Sequence, residues 1–251
     1  MDVNMFSVKS IYVSIMYNDI NLATATGFLI TRNNNIYLVT NRHVVTGRNN
    51  QTNECLDPNA AIPNKIKAWI PFRENEKYKW IEKTCDLYDK DELPMWFEHP
   101  LYQNRVDVVA LKLGNLEQNM CYYNTNSFYN PIVTENVFII GYPFGYNIRT
   151  NGEKYAIWTT GTIASDPDLN IEINGEQVPA FLVDAKTRKG QSGSPVIYYN
   201  DMGLDKDLNG ISLYGGPVWH EIGIYSGRIN KESDLGFVWK WSVISEIIQN
   251  I

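Results

Sequence analysis

Cysteine is almost missing from this chain. Cys55, Cys85 and Cys121 are the only three in 251 residues, an odd number with no Cys-x-x-Cys pair, so neither a disulfide-stapled scaffold nor a thiolate zinc or redox centre is expected. Positive charge is short as well: 22 Lys and Arg stand against 28 Asp and Glu, a net charge of −6. That balance favours solubility and disfavours a nucleic-acid-binding face. No apolar run approaches the roughly 20 residues that cross a bilayer. The start, Met1-Asp2-Val3-Asn4-Met5, has neither the cationic segment nor the apolar stretch of a secretory signal. A cytoplasmic protein with reduced thiols, bound to neither nucleic acid nor membrane, is expected. What is present is ordinary for a globular chain, 44% hydrophobic and 20% charged residues, and ample for a large core.

Helical periodicity is also absent from the first hundred residues. They read as short strands at 8–17, 26–31, 36–40 and 65–72, with an Asn33-Asn34-Asn35 turn and polar loops at 49–64 and 83–94. Residues 106–113 form a nearly continuous apolar strand broken only by Asp107 and Lys112. A buried strand seldom carries a carboxylate without a reason. Residues 114–134 are polar and read as the connection between two halves. Strands resume at 137–141, 156–163, 181–185, 195–199, 221–226 and 236–239, and Asn174-Gly175 marks a two-residue hairpin. Val243, Ile244, Ile247, Ile248 and Ile251 share one face of a closing amphipathic helix. The division expected is 1–120, 121–135 and 136–251: two β units and a connection.

The most specific string is Gly190-Gln191-Ser192-Gly193-Ser194-Pro195. Glycines around a serine permit a tight turn that exposes Oγ and aims backbone N–H groups at one point, although such a cluster also serves as a plain turn. A serine hydroxyl needs a base. Of three histidines, His99 and His220 read as solvated or packing residues, whereas His43 sits where the strand 36–40 runs into a turn. An isolated histidine there also serves as a hydrogen-bonded structural residue; a buried carboxylate to hold its tautomer would decide for catalysis, and Asp107 is the only carboxylate inside such an apolar run.

With those residues in order His, Asp, Ser, the chain resembles the trypsin/chymotrypsin-like serine peptidases, in particular the bacterial branch that includes the glutamyl endopeptidases. Gly27-Phe28-Leu29-Ile30 with Thr40-Asn41-Arg42-His43-Val44-Val45 is similar to the histidine segment. Asp107-Val108-Val109-Ala110-Leu111 is similar to the aspartate segment, and Gly190 to Pro195 to the serine segment. Gly141-Tyr142-Pro143-Phe144-Gly145, Gly161-Thr162-Ile163 and Ile222 to Gly227 agree further.

The resemblance implies an all-β fold of two packed six-stranded antiparallel barrels with a short C-terminal helix. It implies a His43, Asp107, Ser192 triad in the cleft between them and an oxyanion hole from the N–H groups of Gly190 and Ser192. A protein or peptide substrate is implied, with no cofactor and no metal. Pocket walls would come from Lys186, Thr187, Tyr225, Ser226, Gly227, Arg228 and Gly236. Thr187 matches a threonine that contacts a substrate carboxylate, while Tyr225 stands where a histidine is usual; Lys186 and Arg228 are expected to supply charge for an acidic residue before the cleaved bond. Gln191 stands where secreted digestive relatives have the aspartate that pairs with a newly cut N-terminus, so such a cut is not expected to be needed. Without a following PDZ-type domain, a quality-control role is disfavoured, and restraint by narrow specificity or a regulatory partner is expected. The alternative is a catalytically silent binding module on the same fold.

Overall fold

Strands form both where apolar and polar residues alternate, as at 65–70, and where short apolar runs are buried on both faces, as at 36–40 and 195–198. A computed structural model describes residues 3–125, 129–148, 153–207 and 210–251. The first half contains α1 (Phe6–Lys9), β1 (Ser10–Tyr17), β2 (Ile20–Arg32), β3 (Asn35–Thr40), α2 (Arg42–Thr46), β4 (Lys65–Glu74), β5 (Lys77–Asp86), β6 (Trp96–Phe97) and β7 (Val109–Asn115). The second contains β8 (Asn136–Gly141), β9 (Ile157–Ile163), β10 (Ile171–Ile173), β11 (Glu176–Val178), β12 (Ala180–Ala185), β13 (Pro195–Asn200), β14 (Leu204–Asp207), β15 (Gly210–Leu213), β16 (Val218–Arg228), β17 (Leu235–Lys240) and α3 (Trp241–Gln249).

The all-β, chymotrypsin-like architecture is present, with one difference in the first half. Expected as a six-stranded barrel, it is a seven-stranded antiparallel sheet in the order β5-β4-β1-β2-β3-β7-β6. The sheet rolls up through irregular chain rather than through a strand: Arg73 N donates to Asn119 O at 2.9 Å and Cys121 N to Pro71 O at 3.2 Å. Ile11, Val13 and Ile15, alternating on β1, enter the resulting interior with Leu29, Leu38, Ile66 and Leu111. The β2–β3 turn uses Asn33 and Asn34, both at positive φ (48° and 59°), a conformation that asparagine tolerates and that matches strand twist.

Several sequence boundaries move, and two of the shifts have a clear physical reason. Residues 83–86, expected in a loop, belong to β5, paired with β4 from Glu74↔Lys77 to Lys65↔Asp86. An edge strand with an exposed face accepts charged residues that a central strand would not. Asp107 lies just before β7 rather than inside a strand, because its groups are engaged elsewhere, as described below. The expected connection is largely irregular, although residues 126–128 of it lie outside the described residues.

The second half is a closed six-stranded barrel, β12-β17-β16-β13-β8-β9. Each end segment braces the opposite half. Phe6 of α1 packs edge-on against Trp158 and Trp219 of the barrel, with Ala156 N donating to Ser7 O at 2.8 Å. In return, Trp241 of α3 stacks on Phe28 of β2 at 5.4 Å. Val243, Ile244, Ile247 and Ile248 are buried as their spacing requires, and the helix ends at Gln249, before Ile251. These contacts set the relative position of the two halves, and so of the residues they contribute to the cleft.

Candidate active site

Helix α2 begins directly after β3 and carries His43 at its second position. The Asp107 carboxylate, 3% exposed, faces it. Asp107 Oδ2 lies 2.6 Å from His43 Nδ1, and Oδ1 accepts the His43 backbone N–H at 2.8 Å. Asn41 Nδ2 donates to the Asp107 carbonyl at 2.8 Å, taking the place of a strand neighbour. Ser226 Oγ, from β16, donates to Asp107 Oδ2. The carboxylate thus holds Nδ1 as the protonated nitrogen and leaves Nε2 with the lone pair that a base requires.

The chain leading to Asp107 is secured by His99. Its ring is buried, Nδ1 accepts the N–H groups of Leu101 and Tyr102 (3.2 Å each), and Nε2 lies 3.0 Å from Glu246 on α3. Burial lowers the ring's pKa against the opposing pull of Glu246. The folded state therefore binds fewer protons than the unfolded chain once pH drops below the ordinary value of 6.5. The contribution to stability is complete above that value and is lost as pH falls through the lower folded one. Urea unfolding at a series of pH values should show a loss of stability in mild acid that is smaller in His99→Gln; an identical slope in the variant refutes the assignment.

The serine loop follows β12. Gly190 and Gly193 have φ of +95° and +85°, and a Cβ there would lie 2.4 Å from Tyr142 O and 2.0 Å from Thr26 O respectively. Both demand glycine. Thr26 N donates to Ser192 O at 2.9 Å and Gly193 N to Tyr225 O at 2.9 Å, which joins the loop to both halves. Among the described residues, no partner is found for the N–H groups of Gly190 and Ser192. Ser192 Oγ donates to Ser226 O at 2.8 Å. His43, Asp107, Gly190, Ser192 and Ser226 line one cleft of about 760 Å³ between the halves.

The expected pocket residues divide. Ser226, Gly227 and Arg228 line the cleft, and Ser226 also serves Asp107 and Ser192 as a bonding partner. Lys186 is exposed and lies outside the cleft. Thr187 and Tyr225 are buried, 1% and 2% exposed, and hydrogen-bond to one another. Burial pushes the Tyr225 phenol up to about 12, so it stays neutral. Gly236 packs on that ring, since a Cβ there would lie 2.5 Å from Tyr225 Cε2. None of these three lines the cleft. The reason is packing: a tyrosine whose ring joins the barrel interior pairs its hydroxyl with a buried polar partner, here the Thr187 hydroxyl. Lys189, Phe144 and Ile229 line the cleft too. Of the residues that sequence reasoning missed, Asn41 sits in the His43 segment, Phe144 in Gly141–Gly145, and Thr26 beside Gly27; all three lie within or beside the quoted motifs.

The trypsin-like peptidase domain matches residues 25–203. The chain belongs to the trypsin-like peptidase family. As such it is a serine endopeptidase, a hydrolase acting on proteins. Among solved structures, this trypsin-like peptidase is similar to the active form of the Rv3671c protease from M. tuberculosis, with 16% identity and a TM-score of 0.53 over 98% of this chain and 82% of that one. It is similar to Deg5 at 18% identity and a TM-score of 0.52, over 96% and 88% of the two chains. The serine endoprotease from Yersinia pestis matches at 14% identity and a TM-score of 0.55, over 100% and 67%. At these identities the likeness is one of fold. No curated protein matches the sequence.

Proposed function

We propose that this peptidase cleaves proteins through a His43, Asp107, Ser192 triad and an acyl-enzyme intermediate. The observation that carries the reading is the buried Asp107 carboxylate, whose Oδ2 lies 2.6 Å from His43 Nδ1 at the edge of the cleft that holds Ser192. In the free protein the Ser192 hydroxyl rests on Ser226 O; turning about its Cα–Cβ bond moves it toward His43, which takes the proton as Oγ attacks. The N–H groups of Gly190 and Ser192 receive the oxyanion. His43 then protonates the leaving amine. A fluorophosphonate probe labels Ser192 if the reading holds, and an unlabelled, folded protein refutes it in favour of a silent binding module.

The finer part of the proposal is a preference for Glu or Asp before the cleaved bond, in keeping with the resemblance of Gly190–Pro195 to glutamyl endopeptidases. Two cations on the cleft wall, Arg228 and Lys189, support it in place of Lys186. A guanidinium bound to a carboxylate is worth about 1.5–3 kcal/mol, so Arg228→Ala should lower kcat/KM for acidic peptides by about 10–100-fold. A peptide-library cleavage profile measures this. Enrichment of Phe, Leu or Tyr, unaffected by Arg228→Ala, refutes the acidic preference and indicates an apolar pocket. We also place the enzyme in a reducing compartment, a reading supported by Cys55, Cys85 and Cys121 all standing free.

A further inference from the structure

The loop from Arg188 to Gly193 must hold two N–H groups in register with the serine, yet no disulfide reaches it and its side chains include no carboxylate. Gln191 is wholly buried, 0% exposed, and both ends of its carboxamide are engaged. Oε1 accepts the Arg188 N–H at 2.7 Å, and Nε2 donates to Thr159 Oγ1 on β9 at 2.8 Å. Its backbone closes the same turn: Gln191 N donates to Arg188 O at 3.2 Å, and Ser194 N to Gln191 O at 3.0 Å. From the other side, Thr26 Oγ1 donates to Gly190 O at 2.8 Å and accepts the Tyr142 N–H at 3.1 Å. Phe144 N donates to Lys189 O.

We propose that Gln191 is a positioning residue that holds the oxyanion loop in its working shape by an internal amide clamp between Arg188 N and Thr159 Oγ1; the inference rests on the triad reading above. An amide suits the position. Its two partners carry no formal charge, and the nearby Arg188 guanidinium is turned to Thr187 O at 2.7 Å, so a carboxylate here would be buried without a cation, at high cost. A neutral clamp needs no ammonium group to complete it. The loop's shape, and with it the oxyanion hole, is therefore independent of any amine that titrates in the alkaline range.

The test uses the full chain with Gln191→Met, Gln191→Glu and Thr159→Val. Gln191→Met keeps the volume and loses both bonds. Its kcat should fall by roughly 10–100-fold with little change in KM, because loop misplacement of about 1 Å is felt in the transition state. Affinity for a peptide boronate, which mimics the tetrahedral state, should fall in parallel, while affinity for a cleaved product peptide stays unchanged. Thr159→Val should show the same pattern in weaker form. Gln191→Glu should be the diagnostic case: activity near wild type when the carboxyl is protonated, then a decline on the alkaline side as the buried group ionises, where the wild type stays level. Should Gln191→Met fail to fold, the kinetic pattern of Thr159→Val and the profile of Gln191→Glu carry the test. A folded Gln191→Met with unchanged kcat and boronate affinity, or an unaltered profile in Gln191→Glu, overturns the clamp alone. A wild type that neither hydrolyses peptides nor takes a fluorophosphonate overturns the triad reading and the clamp with it.

Discussion

Replacing Ser192 by alanine should abolish peptide hydrolysis, with a fall of about 10⁶ in kcat, the magnitude found when a triad serine is removed. The whole covalent path depends on one oxygen. Without Oγ no acyl-enzyme forms, His43 has no proton to take, and what survives is the modest assistance of the oxyanion donors. The fold should be unaffected. Ser192 is only partly buried, its main chain remains tied through Thr26 N to Ser192 O, and the one bond lost is that from Oγ to Ser226 O. Single-turnover kinetics and thermal unfolding on the same preparation decide the matter. Retained turnover with normal melting means that a different nucleophile operates. The variant is also useful for finding substrates: new protein N-termini that appear with the wild type and vanish with Ser192→Ala mark the cleavage sites.

Asp107→Asn should lower kcat by about 10⁴, the scale seen when a triad aspartate is replaced by its amide. The geometry explains why so small a change has so large an effect. Asp107 presents only acceptors, and three donors use them: His43 N, His43 Nδ1 and Ser226 Oγ. An asparagine keeps one oxygen for the His43 N–H and turns its NH₂ toward Nδ1. The ring must then place its proton on Nε2, the atom that should accept from Ser192. The imidazolium that forms during attack also loses its counter-charge, which Asp107 supplies from a buried position. Steady-state kinetics, together with a nitrogen-NMR assignment of the His43 tautomer, test both halves of the explanation. Full activity in Asp107→Asn refutes the role given to this carboxylate.

How much of this was legible in the residues follows from the range of the interactions involved. Strand alternation, the Asn33-Asn34 turn, the glycines flanking Ser192 and the spacing of Val243, Ile244, Ile247 and Ile248 are local, each decided by a few bonds or one helical turn of chain. They could be read directly. So could the order His43, Asp107, Ser192, because the segments around these residues are distinctive strings. The 83–86 segment was misread because exposed charge marks an edge strand and a loop alike. Closure of the first sheet through residues 119–121 could not be read, since its bonds join positions remote in sequence and involve backbone that has no side-chain signature.

The pocket shows the same limit. Lys186, Thr187, Tyr225 and Arg228 are equivalent candidates on paper; only packing shows that Lys186 faces water, that Tyr225 and Thr187 satisfy each other inside the barrel, and that Arg228 and Lys189 reach the cleft. The fold class, the family and the residues of the candidate triad were thus written in the chain itself, because backbone propensity and close glycine turns act over a few residues. The tertiary structure alone decided which hydroxyl meets which partner: Ser226 with Asp107, Thr159 with Gln191, Thr187 with Tyr225. Those pairings join side chains more than thirty residues apart within 3 Å: the closure of the barrel sets the second and third, and the packing of the two halves, each braced by a segment of the other, sets the first.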